Sequence, residues 1–180
     1  MDEDGPSSIA VTVGTAGWRT ALADLEVLCQ TAVAAALMET AAGAWLAAAE
    51  VSLLLSDDRT VRRLNAAYRG HDRPTNVLSF PALELTPGRW PLEPPAGTPF
   101  LGDIVLAEET VRREAERENK PLAAHLSHLL VHGTLHLLGY QHDEDEGAAA
   151  MEDLERRILA RLGLPDPYGH DDRETLEAKP

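Results

Sequence analysis

The chain has one cysteine, Cys29, in 180 residues. No intrachain disulfide can form, so the fold must stand without one, as suits a reducing cytosol. Basic charge is also scarce. Lysine and arginine number 16 against 30 acidic residues, a net charge of −14. Taken alone, that balance points away from nucleic acid, whose binders usually carry a basic surplus. Long apolar runs are missing too. The best candidate, Ala32 to Ala49, is mostly alanine and is broken by Glu39, Thr40 and Gly43. It reads as helix against a core, not as a membrane span. The start, Met1-Asp2-Glu3-Asp4, is acidic and has no basic stretch before an apolar one, so no secretory signal is expected.

What is present suffices for one packed domain. The length suits a single core, and the hydrophobic fraction of 44% and charged fraction of 26% are those of an ordinary globular protein. Charge placement is uneven. Arg59, Arg62, Arg63, Arg69 and Arg73 fall close together with only Asp72 against them, while acid gathers at both ends and after His142. This stretch is either a solvated helix face or a local track for phosphates.

Periodicity divides the chain into alternating strands and helices. Ile9 to Val13 alternates as a short strand, and Thr20 to Leu37 carries apolar residues at helical spacing. Glu50 to Ser56 is a strand. Asp57 or Asp58 then caps a helix to about Tyr68, which Gly70 ends. Asn76 to Phe80 and Asp103 to Ala107 are further strands, separated by a long loop with five prolines between Thr86 and Pro99. Helices are expected at Glu108 to Asn119, from Pro121 to about Leu138, and from Glu144 to Leu162. The chain after Pro165 reads as loose. These elements predict a single small domain of the α+β (mixed) class, a short mixed sheet covered by helices. It is expected to occupy residues 1–168, with 169–180 a flexible C-terminal tail.

The informative run is His132-Gly133-Thr134-Leu135-His136-Leu137-Leu138-Gly139-Tyr140-Gln141-His142. His132 and His136, four apart in a helix, project from one face and can share a metal. His142 would lie about 9 Å further along the axis if the helix continued, too far for metal bonds of about 2.0–2.1 Å. Gly139 supplies the break, because glycine readily takes the left-handed conformation that ends a helix. Three imidazoles with an open position describe a catalytic zinc site at the C-terminal end of a central helix, and one cysteine excludes a closed thiolate site. His125 and His128 share that helix face. His128 and His136 stand about 12 Å apart axially, so His125 and His128 are read as structural or cleft-lining. His71 and His170 carry no signal.

The spacing H-x3-H-x5-H is also that of metzincin proteases, which place a glutamate directly after the first histidine as general base. Here that position is Gly133. A peptidase of that type lacks its base.

The run from His132 to His142 resembles the signature of the YbeY family of bacterial endoribonucleases. The block from Leu64 to Pro81 (LNAAYRGHDRPTNVLSFP) resembles that family's other hallmark, and Gly102-Asp103-Ile104 and the ending Gly163 to Tyr168 are similar as well. The likeness spans Val51 to Tyr168. It implies a cytoplasmic, zinc-dependent endoribonuclease specific for single-stranded RNA. Its implied work is maturation of the 3′ end of small-subunit rRNA and ribosome quality control. It further implies one Zn2+ per chain on His132, His136 and His142, a catalytic role for Arg69, and the ribosome or its small subunit as partner, with neither DNA nor membrane involved. Two rivals are another zinc-dependent hydrolase and a ribosome-assembly factor whose zinc is structural. One departure stands out. The family usually has aspartate before the last histidine, where this chain has Gln141. Either the aspartate's support for the zinc ligands is missing here, or Asp143 or Asp145 supplies it.

Overall fold

The computed structural model describes residues 8–40, 46, 48–91, 98–142 and 145–169. Four strands form one sheet in the order β1-β2-β4-β3. Strands β1 (Ile9–Val13), β2 (Glu50–Ser56) and β4 (Phe100–Ala107) run parallel, and β3 (Val77–Pro81) closes one edge antiparallel to β4. The described helices are α1 (Ala16–Ala21), α2 (Leu25–Glu39), α3 (Asp58–Arg69), α4 (Glu108–Arg117), α5 (Leu122–Leu137) and α6 (Asp145–Arg161). The expected α+β architecture is what is found.

Strand alternation sorts the core into two sides. On β2 and β4, Val51, Leu53, Leu55, Ile104 and Leu106 point to the larger core, built with α2, α5 and α6. Val105, Ala107 and Leu78 point the other way, onto Val61 and Leu64 of α3. Helix α5 is covered on most sides, as a central helix must be, and is largely apolar apart from the face that carries its histidines.

Most expected boundaries agree to within two or three residues. Asp57 is the cap of α3, its Oδ1 accepting from the Thr60 amide at 2.7 Å, and Gly70 ends the helix. Two expectations need correction. The helix expected to run unbroken from Thr20 is two helices, with Leu22 extended between them. Buried Trp18 anchors the first separately, its indole N–H donating to the Ser56 carbonyl at 3.1 Å. The apolar stripe Leu25, Cys29, Ala32, Val33, Ala36 and Leu37 belongs wholly to the second. The segment after Pro165 is not loose as far as Tyr168: the Lys120 ammonium donates to the Pro167 carbonyl at 3.0 Å, and Tyr168 packs inward. The tail expected from residue 169 lies, beyond Gly169, outside the described residues, with His170 in it. Pro94 and Pro95 of the long loop, and Asp143, also lie outside them.

Candidate metal centre

Helix α5 carries His132 and His136 one turn apart near its C-terminal end. The helix closes at Leu138, and Gly139 follows at φ 91°. Only glycine fits there twice over: the conformation is left-handed, and a Cβ would stand 2.0 Å from the Leu85 carbonyl oxygen. The turn brings the His142 ring back to 5.6 Å from His132 and 4.9 Å from His136, centre to centre. One ligand atom from each of the three histidines lies within 4.8 Å of the others. The described part of the proline-rich loop packs on the same helix end, where the Trp90 indole donates to the Leu138 carbonyl at 3.4 Å.

The absent base at Gly133 has a structural reason. A Cβ there would approach Ile104 Cγ2 and Ser79 Oγ at 3.1 Å, because α5 lies tight on β3 and β4. The Ser79 hydroxyl donates to the Gly133 carbonyl at 3.1 Å. A side chain at this position would crowd Ile104 and Ser79, so the close packing of α5 on the sheet disfavours the glutamate that the protease arrangement needs.

Hydrogen bonding dictates which ring nitrogens are free. His136 Nδ1 lies 2.9 Å from the Tyr140 carbonyl, which can only accept, so Nδ1 carries the proton and Nε2 presents a lone pair. His132 Nδ1 lies 2.6 Å from Oε1 of Glu155. Burial raises the Glu155 carboxyl, but hydrogen bonds from His128, His132 and Tyr168 outweigh it and hold the group at about 2. It is therefore an acceptor as well. The two Nε2 atoms then face each other at 3.0 Å. Burial above all pushes His136 down from 6.5 to about 4, so its ring is neutral and available as a ligand.

Two facing lone pairs repel unless a proton or a cation lies between them. Nitrogen ligands of one tetrahedral zinc, with bonds of about 2.0–2.1 Å, stand about 3.3 Å apart. The observed separation is within a few tenths of that, and His142 adds a third donor. By donor chemistry and spacing, the residues present fit a divalent metal.

Arg69, the last residue of α3, is exposed and donates to the Ser79 carbonyl at 3.4 Å. Its charge is among those felt at His136. It lines a cleft of about 380 Å³ with Asn65, His71, Arg73, Asn76 and Glu114. Asn65, buried in α3, holds the following loop by donating to the Arg73 carbonyl at 2.8 Å. Of the clustered arginines, Arg62 is engaged by Asp72 at 2.7 and 3.0 Å. Among the described residues, no ion pair involves Arg59, Arg63 or Arg73.

His125 and His128 face carboxylates, and His71 lines the Arg69 cleft. His125 is buried against Glu114 Oε2 at 2.9 Å, and His128 meets Glu155 Oε2 at 3.0 Å. Sequence reasoning missed Glu155, which is fully buried. A signal existed: it is a charged residue inside the apolar stripe of α6, between Met151, Leu154, Ile158 and Leu159. Gln141 is exposed and Asp145 begins α6 in an exposed position. Neither is the carboxylate that supports His132.

A family model described as Endoribonuclease YbeY matches residues 18–163. The endoribonuclease YbeY of Rhizobium meliloti (strain 1021) is 62% identical over 122 residues, 68% of this chain and 69% of that protein. The one from Rhodopseudomonas palustris (strain BisB18) is 49% identical over 168 residues, covering 93% and 96% of the two chains. A Thermotoga maritima protein whose structure was solved in solution superposes with a TM-score of 0.51 at 22% identity, over 90% of this chain and 99% of that one. That last likeness speaks to the fold alone.

Proposed function

This chain belongs to the YbeY family of endoribonucleases, and from that premise we propose that it hydrolyses phosphodiester bonds of single-stranded RNA with one zinc ion held by His132, His136 and His142. The observation that carries the metal assignment is the pair of Nε2 atoms meeting at 3.0 Å, each with its Nδ1 committed to an acceptor, beside a third imidazole. Imidazole nitrogen suits zinc, and three protein ligands leave a position open. When bound there, the ion supplies Lewis-acid stabilisation of a phosphoryl oxygen and activates water.

The chain's own residues do the rest. The Arg69 guanidinium, on the rim of the cleft, supplies fixed positive charge to the phosphate as negative charge develops. Arg73, which lines the same cleft and has no ion pair among the described residues, adds to that charge. Helix α5, fixed against the sheet at Gly133, keeps the first two histidines in register with it. In this reading the substrate is rRNA at the 3′ end of the small-subunit molecule. The ribosome or its small subunit is the partner, and the cytoplasm is the place of action. Among the described residues no helix is long and apolar enough to cross a membrane.

The test is incubation of the purified chain with single-stranded and duplex RNA, with and without a chelator. Cleavage of single strands that chelation stops and zinc restores is expected. Cleavage that survives exhaustive chelation would remove the metal from the reaction.

A further inference from the structure

We propose that Glu155 is a positioning residue for the metal centre, locked in place by His128 and by Tyr168 from the C-terminal segment. The inference rests on the zinc reading of the three histidines and concerns what orients them.

Glu155 has no exposed surface, and no lysine or arginine pairs with it among the described residues. A carboxylate in that position is costly unless its oxygens are satisfied. Three donors satisfy them: His132 Nδ1–H on Oε1 at 2.6 Å, His128 Nε2–H on Oε2 at 3.0 Å, and the Tyr168 hydroxyl, also on Oε2. Of these partners only His132 reaches the metal centre. Its Nδ1 is held by the carboxylate while its Nε2 faces His136. The negative charge of Glu155 therefore finds its counter-charge through the imidazole ring, in whatever cation Nε2 binds. It fixes the tautomer and makes Nε2 a better donor.

The C-terminal segment is built to deliver the third donor. Asp166 accepts from the Tyr168 amide at 2.9 Å and from Arg156 Nε at 3.3 Å, and the Arg156 guanidinium lies 5.0 Å above the Tyr168 ring. Lys120 holds the Pro167 carbonyl, and the tyrosine ring stands edge-on to His128 at 5.5 Å. These contacts bring the hydroxyl onto the buried carboxylate, with His128 Nε2 at 3.5 Å beside it.

His128, His132 and Glu155 also bring one ligand atom each within 4.8 Å of one another, so a second metal position must be weighed. The 2.6 Å between His132 Nδ1 and Glu155 Oε1 is a hydrogen-bond separation. Two ligands of one zinc would stand about 3.3 Å apart. Glu155 acts on the metal through His132 and does not ligate it.

Glu155→Gln is isosteric but offers one acceptor and one donor where donors converge on both oxygens. Zinc stoichiometry and affinity, by chelator competition, are measured on the parent, Glu155→Gln, Tyr168→Phe and His136→Ala. The tautomer of His132 is read by nitrogen NMR in the zinc-free chains. We expect one zinc per parent chain, an affinity about 10–100-fold weaker in Glu155→Gln, and one about threefold to tenfold weaker in Tyr168→Phe, the worth of one hydrogen bond. The His132 Nδ1–H form should dominate in the parent and give way to a mixture in Glu155→Gln. Parent-like affinity and tautomer in both variants would overturn the proposal, as would two zinc ions per parent chain with one lost in Glu155→Gln. If Glu155→Gln does not fold, Tyr168→Phe decides by the same measurements. A parent that binds no zinc sinks the metal reading itself, while the zinc-free tautomer still reports whether Glu155 holds His132.

Discussion

Helix α5 presents four histidines along one face, and its two halves use them in opposite ways. In the first half, His125 and His128 spend Nε2 on carboxylates, Glu114 and Glu155. In the second half, His132 and His136 spend Nδ1 on Glu155 and the Tyr140 carbonyl, and turn Nε2 toward each other. The residue type, the helix and the spacing are shared. What separates the two pairs is which ring nitrogen their neighbours consume. Glu155 serves both halves, one oxygen to each.

The contrast breaks most sharply at His136. His136→Ala should take bound zinc from about one per chain to near zero, since the chelate loses a ligand, and RNA cleavage should fall to background. Elemental analysis decides it, and stoichiometric zinc in the variant would mean the wrong ligands. Arg69→Ala comes next. It should lower cleavage about a hundredfold or more with zinc content unchanged, as for single groups that stabilise developing charge. Reduced zinc in that variant would make Arg69 a structural residue instead.

The first half of the helix should answer in stability alone. His125→Leu removes the partner of Glu114, whose carboxyl burial raises but His125 and Asn76 hold below its ordinary value. Denaturant melts should show a loss of about 1–2 kcal/mol, with zinc affinity at the parent value. A drop in zinc affinity would blur the division between the halves.

Acid should act on the second half. His136 is pushed from 6.5 down to about 4, so the folded, zinc-free chain resists its protonation. Its contribution is whole above pH 6.5 and is lost as pH falls from there toward 4. Glu155, held at about 2 against an ordinary 4.5, extends the loss below pH 4.5. Chelator-treated protein, unfolded by guanidinium at about pH 7.5 and again near pH 4, should lose about 1–2 kcal/mol through His136, allowing for the part of the ring that water screens. Equal stability at the two values would contradict the assigned burial.

The smallest effect is expected at Gln141. Its substitution by aspartate would tighten zinc if a carboxylate were missing, but the Nδ1 atoms of His132 and His136 are already satisfied and Gln141 is exposed. Gln141→Asp should leave zinc affinity within about twofold, less than one net hydrogen bond. A tenfold gain would show that His142, the remaining ligand, lacks support.

Much of this was legible in the chain itself, for identifiable reasons. Strand β2 was bounded to the residue because its alternation of buried and half-buried side chains is local. Asp57 and Gly70 marked the ends of α3 because capping involves only neighbouring backbone. The break between α1 and α2 was not legible, since it depends on Trp18 reaching the Ser56 carbonyl, 38 residues away. In the sequence Tyr168 is marked only as part of the ending that resembles the family's. Its use depends on α6 and on Lys120, both distant in sequence.

The sequence by itself determined the three-histidine cluster, because a turn of helix followed by a glycine break brings three nearby imidazoles together through short-range geometry alone. Tertiary structure decided which nitrogens of those rings are free. That choice belongs to partners the chain delivers from elsewhere: Glu155 lies 23 residues from His132 and 27 from His128, and Tyr168 lies 40 residues from His128. Gly133 shows the same division. Its lack of a side chain is plain in the sequence, and its cause, the 3.1 Å approach to Ser79 and Ile104, exists only once α5 is laid on the sheet. Spacing along a helix is a property of the backbone, whereas hydrogen-bond direction and close packing are properties of whatever lies across from it.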